Sequence, residues 1–364
     1  MTQASRALLG PVIGFSLVAA AGQAASAAEV LYTVSMPRAR ENLIDVELRV
    51  RAALPLNVAM PIWAPGAYRL VNWSRNVRPG TARSSTGEVL SWRRSGRSGW
   101  TIVGKRAVPA PQQLTIRYQV LASALDSDSS YVDSIQAHLV GSSVFMYVPA
   151  VRGEPQRVTL KLPRYWHLVT STLPRRGSAF AGHNYDEIAD SIWQLGWHAT
   201  RCATFRKAEL CIALHTSDHH LVPPRWIKDL VDIAKVHADW FGGLPYSKYT
   251  VFVRPVDASA FRDMFAPGLE HDRGCTLLVN KGVLNAPMED QKNSGYEWLV
   301  STMAHEHFHV WNARRIRPAP YGVHDYLDPK PSQLLWFTEG FTKCVCQARS
   351  IHPHRTVGVA RRSV

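Results

Sequence analysis

His305-Glu306-His307-Phe308-His309 constrains this chain more tightly than any other stretch. Residues four apart stand one above the other only on an α-helix, so His305 and His309 can aim both imidazoles at one point only if the segment is helical. Glu306 is displaced by one position and can reach a water held at that point without being a ligand. The pattern His-Glu-x-x-His is that of helical zinc sites in which the glutamate acts as a base. In a chain with 15 histidines these five residues do not decide the matter alone, so the surroundings must.

The spacing predicts a helix from about Tyr296 to Arg314, with Leu299, Val300, Met303 and Ala304 on its buried side. A zinc ion that keeps one position open for water needs a third protein ligand. Glu339 lies in Leu334-Leu-Trp-Phe-Thr-Glu-Gly-Phe-Thr342, a stretch suited to a second helix. A carboxylate flanked by Leu335, Trp336, Phe337 and Phe341 is costly to bury without a partner, and a metal is such a partner. The competing reading puts Glu339 on the exposed face of that helix. Upstream, Gly268-Leu269-Glu270-His271 precedes a strand at Thr276. A carboxylate at the mouth of a zinc cleft could bind a peptide's free ammonium group; the same residues also fit a turn with a solvated Glu and His.

The first half of the chain has a different period. From Leu31 to about Thr216 the segments Leu31–Ser35, Leu43–Val50, Leu114–Leu121 and Val158–Leu162 alternate or are rich in β-branched and aromatic residues, with Pro, Gly and Ser clusters between them. This predicts an antiparallel β-domain. Near residue 222 the period changes: Pro223-Pro224 open a helix carrying Ile227, Leu230, Val231, Ala234, Ala238 and Phe241, and Gly242-Gly243 close it. Strands follow at Tyr249–Arg254 and Thr276–Val279. The fold class is α+β, divided as residues 28–218 (β-domain) and 219–342 (zinc-binding domain).

The chain opens with Arg6, an apolar run and Ala25-Ser26-Ala27, which reads as an export signal cleaved after Ala27 and places the protein in the periplasm or outside the cell. No later stretch approaches membrane-spanning length. The net charge is +14, with Lys and Arg scattered along the sequence. That favours a solvated basic surface and argues against a nucleic-acid partner. The spacing of Cys202 and Cys211 allows a hairpin disulfide or two buried thiols, and the absence of Cys-x-x-Cys argues against cysteine-ligated zinc.

Four segments in order resemble the glycyl aminopeptidase family of zinc metallopeptidases, a gluzincin family. They are Met60-Pro-Ile-Trp-Ala-Pro-Gly-Ala-Tyr68 with Arg75-Asn-Val77, Pro267-Gly-Leu-Glu-His271, His305 to Pro318, and Leu335-Trp-Phe-Thr-Glu-Gly-Phe-Thr342. In the second, Pro267 stands where the family has a glycine. The resemblance implies a thermolysin-like catalytic domain behind the β-domain, and one Zn2+ on His305, His309 and Glu339 with Glu306 as general base. It further implies substrate contacts at Gly268, Leu269 and Glu270, the last binding the amine of peptides with a free N-terminus and small first residues such as Gly or Ala. A non-catalytic peptide-binding protein and a zinc endopeptidase are the alternatives. His307 is expected to pack or lie exposed, and Arg314, Arg315 and Arg317 to be structural or to pair with cleft acids.

The resemblance stops after Thr342. Residues 343–364 contain no acid and no apolar period, which reads as a truncated or frameshifted end, or a divergent tail. On that reading the catalytic domain is incomplete, and Lys343 stands where such families supply a carboxylate behind the metal.

Overall fold

The computed structural model describes residues 29–67, 69–216, 221–257, 259, 268–285, 295–321, 324–328 and 332–348. The expected export signal and the tail from residue 349 lie outside them.

Strict alternation builds the first layer. In Val30–Ser35, Val30, Tyr32 and Val34 are buried and their neighbours half-buried, the period of a strand with one face on a core. This strand pairs antiparallel with Leu43–Leu54 and parallel with Gln156–Lys161. The parallel pairing departs from the expected all-antiparallel domain, because alternation reports which face is buried and not which way the neighbour runs. Ten strands between Val30 and Gly182 form this sheet.

A four-stranded sheet stacks on it, built from Tyr131–Val132, Gln136–Val140, Val169–Ser171 and Ile192–Gly196. Gln136–Val140 and Ile192–Gly196 are buried at every residue, the pattern of strands covered on both faces. One face joins the large core with Tyr32, Ile116, Phe145 and Trp193. The other meets a five-stranded sheet through Ile192, Ala213 and Phe252.

That third sheet orders its strands as His198–Phe205, Ala208–His215, Lys248–Val256, Gly274–Asn280 and Gly268–His271, the last an antiparallel edge. The hairpin 198–215 therefore belongs to the same sheet as the strands of the second half. The change of period near residue 222 marks where a helix begins, not where that sheet ends. Cys202 and Cys211 face each other in register and form a disulfide. Helices Pro224–Phe241 and Tyr296–Phe308 cover the far face, closing a second core around Leu230, Val251, Leu277, Leu299 and Met303.

Basic residues are concentrated along one stretch of the β-domain. Between residues 69 and 117 ten Lys and Arg accompany a single acid, Glu88, and all ten are exposed. No described helix is long and apolar enough to cross a membrane.

Candidate active site

The helix carrying the histidines is shorter than its periodicity predicted. It runs Tyr296–Phe308, with His309 as its C-terminal cap rather than an interior residue. The chain then tightens, Trp311 N donating to Phe308 O at 3.0 Å and Ala313 adopting φ 94°. The cap has a chemical consequence. His309 Nδ1 lies 2.9 Å from the carbonyl of Asn312, which can only accept, so Nδ1 carries a proton and Nε2 faces the site.

Glu339 comes from a π-helical turn, Trp336–Phe341, ahead of the helix Thr342–Ala348. Such turns recur at functional sites because the extra residue re-aims one side chain. Its Oε2 lies 3.3 Å from His305 Nε2 and 3.4 Å from His309 Nε2, and the two Nε2 atoms are 3.0 Å apart. Tetrahedral zinc with bonds of about 2.0–2.1 Å requires ligand–ligand edges of about 3.3 Å. The donor triangle fits zinc. Glu339 keeps its Oε1 buried without a partner. Its side chain is 42% exposed, and its Oε2 is turned toward the two histidines.

Glu306 is 5% exposed and its Oε2 has no hydrogen-bond partner. It lies against the edge strand Gly268–His271, so close that a Cβ at Gly268 would collide with its Oε1. Glu270 is equally buried, and its carboxylate, that of Glu306 and a ring nitrogen of His309 all lie within 4.8 Å of one another. Leu269 is buried, and Gly66 lies against both it and Glu270. A Cβ on Gly66 would stand 2.7 Å from Glu270 Oε2, and Gly66 holds φ 96°, a conformation open to glycine. The β-domain thus forms one wall of the site.

Three carboxylates around two imidazoles create a strong demand for positive charge. Burial alone would disfavour a charged His309, but Glu270, the hydrogen bond to Glu339 and the Glu306 charge lift its pKa to about 10. Burial raises Glu306 well above the usual carboxylate range; His309 opposes this, and Glu270 and Glu339 add to it. Glu339 falls to about 2 against its own burial, because both histidines hydrogen-bond to it. A cation bound among these groups satisfies all three.

Two sets of contacts hold the frame. His271 Nδ1 lies 2.8 Å from the carbonyl of Asp190, and Asp190 also accepts from Arg314 Nη2 at 2.6 Å and from the Asp272 amide at 2.9 Å. Farther on, the segment between His309 and Glu339 returns to the β-domain. Ile62 N donates to Tyr326 O, Trp63 Nε1 to Asp325 O, and the Tyr326 ring sits between Tyr147 and Tyr185.

The structure brings His305, Glu306, His309, Glu339 and Glu270 into one cluster, with Gly268 and Leu269 packed beside it. His307 is fully buried rather than exposed, 2.7 Å from His237 Nδ1 and 2.5 Å from the Tyr246 hydroxyl. Lys343 is exposed and, among the described residues, makes no ion pair with the cluster. Asn312, Asp190, Gly66 and Tyr326 were given no role by the sequence. Only Asn312 and Gly66 lay in stretches the motifs had already singled out.

A helix-borne His-Glu-x-x-His with a third acid opposite it, beside the edge strand of a mixed sheet, defines the metallopeptidase class. Residues 31–192 match the family described as Peptidase M61 N-terminal domain and residues 298–351 the one described as M61 glycyl aminopeptidase, more than half of the chain together. The chain belongs to this family. Among solved structures it is similar to an aminopeptidase N family protein from Idiomarina loihiensis, at 23% identity and TM-score 0.77, covering 86% of this chain. The chain spans about half, 53%, of that structure's length. An M1 zinc metallopeptidase from Deinococcus radiodurans aligns at 13% identity and TM-score 0.43, over 77% of this chain and 63% of that one. No curated protein matches the chain.

Proposed function

We propose that this protein is an exported zinc aminopeptidase that removes small first residues, Gly or Ala, from peptides with a free N-terminus. One Zn2+ would be held by His305, His309 and Glu339. The observation that carries the reading is the donor triangle of 3.0–3.4 Å with the unpartnered Oε2 of Glu306 beside it. The thermolysin-like reading of the second half is supported by the zinc helix lying against the edge strand of a five-stranded sheet.

When bound, zinc supplies Lewis acidity, bringing the pKa of an attacking water to about 7 and polarising the scissile carbonyl. Glu306 Oε2 takes the water's proton and passes it to the leaving amine. Glu270, buried a short distance from Glu306, binds the substrate's ammonium group and sets the scissile bond one residue in. Gly66 and Gly268 leave room for these carboxylates. The preference for Gly rests on the family description, and Ala is included as the next smallest first residue.

Hydrolysis of glycyl- and alanyl-p-nitroanilide by the zinc-loaded protein tests this. Activity is expected in the wild type and should be lost with Glu306→Gln; activity that survives the substitution would exclude the mechanism. An endopeptidase would instead cleave N-terminally blocked peptides and be indifferent to Glu270→Ala.

A further inference from the structure

Asn312 touches both halves of the donor triangle. Its carbonyl accepts from His309 Nδ1 at 2.9 Å, and its side-chain Nδ2 donates to Thr338 O at 3.1 Å and to Thr342 Oγ1 at 2.9 Å. The carbonyl of Phe337 lies 3.4 Å from the same nitrogen. Residues 337, 338 and 342 are the turn that presents Glu339, and Thr342 Oγ1 closes that turn on Thr338 O at 2.6 Å. Asn312 is 3% exposed and its Oδ1 has no partner. A buried amide oxygen left unpartnered is costly, so the two donors on Nδ2 are what the position retains.

We infer that Asn312 is the positioning residue of the metal site, fixing the register between the helix end that carries His309 and the π-helical turn that carries Glu339. The inference rests on the proposed zinc reading. The long segment between the two ligands wanders back to the β-domain, so nothing along the chain sets their distance. Asn312 sets it across space. Only a donor pair serves, because everything Nδ2 faces is a carbonyl or a hydroxyl that already donates elsewhere. Aspartate, identical in shape, would turn a carboxylate toward those carbonyls.

Zinc affinity, measured by competition with a chelating dye, and the visible absorption of the cobalt-substituted protein test this without reference to turnover. Both Asn312→Ala and Asn312→Asp are expected to weaken zinc about 10–100-fold and alter the cobalt spectrum. In a Glu339→Ala background Asn312→Ala should weaken zinc no further, because its effect runs through Glu339. Thr342→Val, which leaves Asn312 in place but removes the hydroxyl between it and Thr338 O, should move both readouts the same way by a smaller factor, and stands in should Asn312→Ala not fold. Wild-type affinity and spectrum in Asn312→Asp would overturn the inference. So would an equal loss from Asn312→Ala with and without Glu339, the mark of a merely structural role. A wild type that took up no zinc would overturn the proposed function, and this inference with it.

Discussion

Arg314 Nη2 donates to Asp190 Oδ1 across 2.6 Å, with both side chains largely buried. The pair ties the segment leaving the zinc helix to the short helix Tyr185–Ala189 of the β-domain, and Asp190 extends the tie to His271 and Asp272 at the end of the strand carrying Glu270. The candidate metal cluster, the strand carrying Glu270 and the β-domain are thereby held in one register. Removing Arg314 leaves Asp190 buried with His271 and the Asp272 amide but without its guanidinium, and leaves Asp272 without its own pair to Arg314. Arg314→Ala should therefore cost about 3–5 kcal/mol in urea unfolding, well beyond a surface ion pair.

The same pair sets an acid limit. Burial opposes ionisation of Asp190, yet Arg314 and then His271 hold its pKa at about 2, below the ordinary 3.8. A depressed carboxyl stabilises the fold above its unfolded pKa and loses that contribution as pH falls through the folded one. The window is thus from about pH 4 down to 2, and the contribution about 2 kcal/mol at about 1.4 kcal/mol per pH unit. Unfolding of wild type and Asp190→Asn compared at pH 7 and pH 3 should show the gap between them narrowing with acid.

Metal uptake should release a proton. In the metal-free protein His309 has a pKa of about 10, so at pH 8 its Nε2 is protonated, and zinc can bind only by displacing that proton. Apparent zinc affinity should rise about tenfold per pH unit between pH 7 and 9. Calorimetric titrations in two buffers of different ionisation enthalpy should report at least one proton released per zinc; none would show that His309 is already neutral in the metal-free protein.

Tyr326 is predicted to matter to the distant metal site. It is 1% exposed in the β-domain core, and its hydroxyl donates to Asp186 Oδ1 at 2.9 Å. Tyr326→Ala should cost about 3–5 kcal/mol, and Tyr326→Phe about 1–3 kcal/mol. Because Tyr326 anchors the segment leading to Glu339, Tyr326→Ala should also weaken zinc binding, which thermal unfolding with and without zinc would register.

Gly66→Ala tests the β-domain's part in the cleft. The new Cβ meets Glu270 Oε2 at 2.7 Å in a backbone conformation that L-residues avoid. The variant should still bind zinc but discriminate less between free and blocked N-termini, raising KM for glycyl-p-nitroanilide more than it lowers kcat.

What the sequence made legible was local. The strand Val30–Ser35, the helix Pro224–Phe241 and the facing of His305 and His309 each follow from a period within a few residues. Glu339 was legible because a lone carboxylate in apolar company needs an explanation. The helix end at Phe308 was not, since the Asn312 side chain is held by tertiary contact with Thr338 and Thr342 while the apolar pattern runs on to Trp311. Asp190 and Tyr326 were invisible because their partners lie more than a hundred residues away. His307 looked dispensable beside its neighbours, and only folding shows the His237 and Tyr246 that enclose it.

His305, His309 and Glu339 are proposed to hold one zinc. Elemental analysis and zinc titration of the wild type and of His305→Ala, His309→Ala and Glu339→Ala test this most directly. One tightly bound zinc per chain is expected in the wild type, with a loss of affinity of at least tenfold in each variant. Less than one zinc per chain in the wild type, or wild-type affinity in any of the three variants, would contradict it.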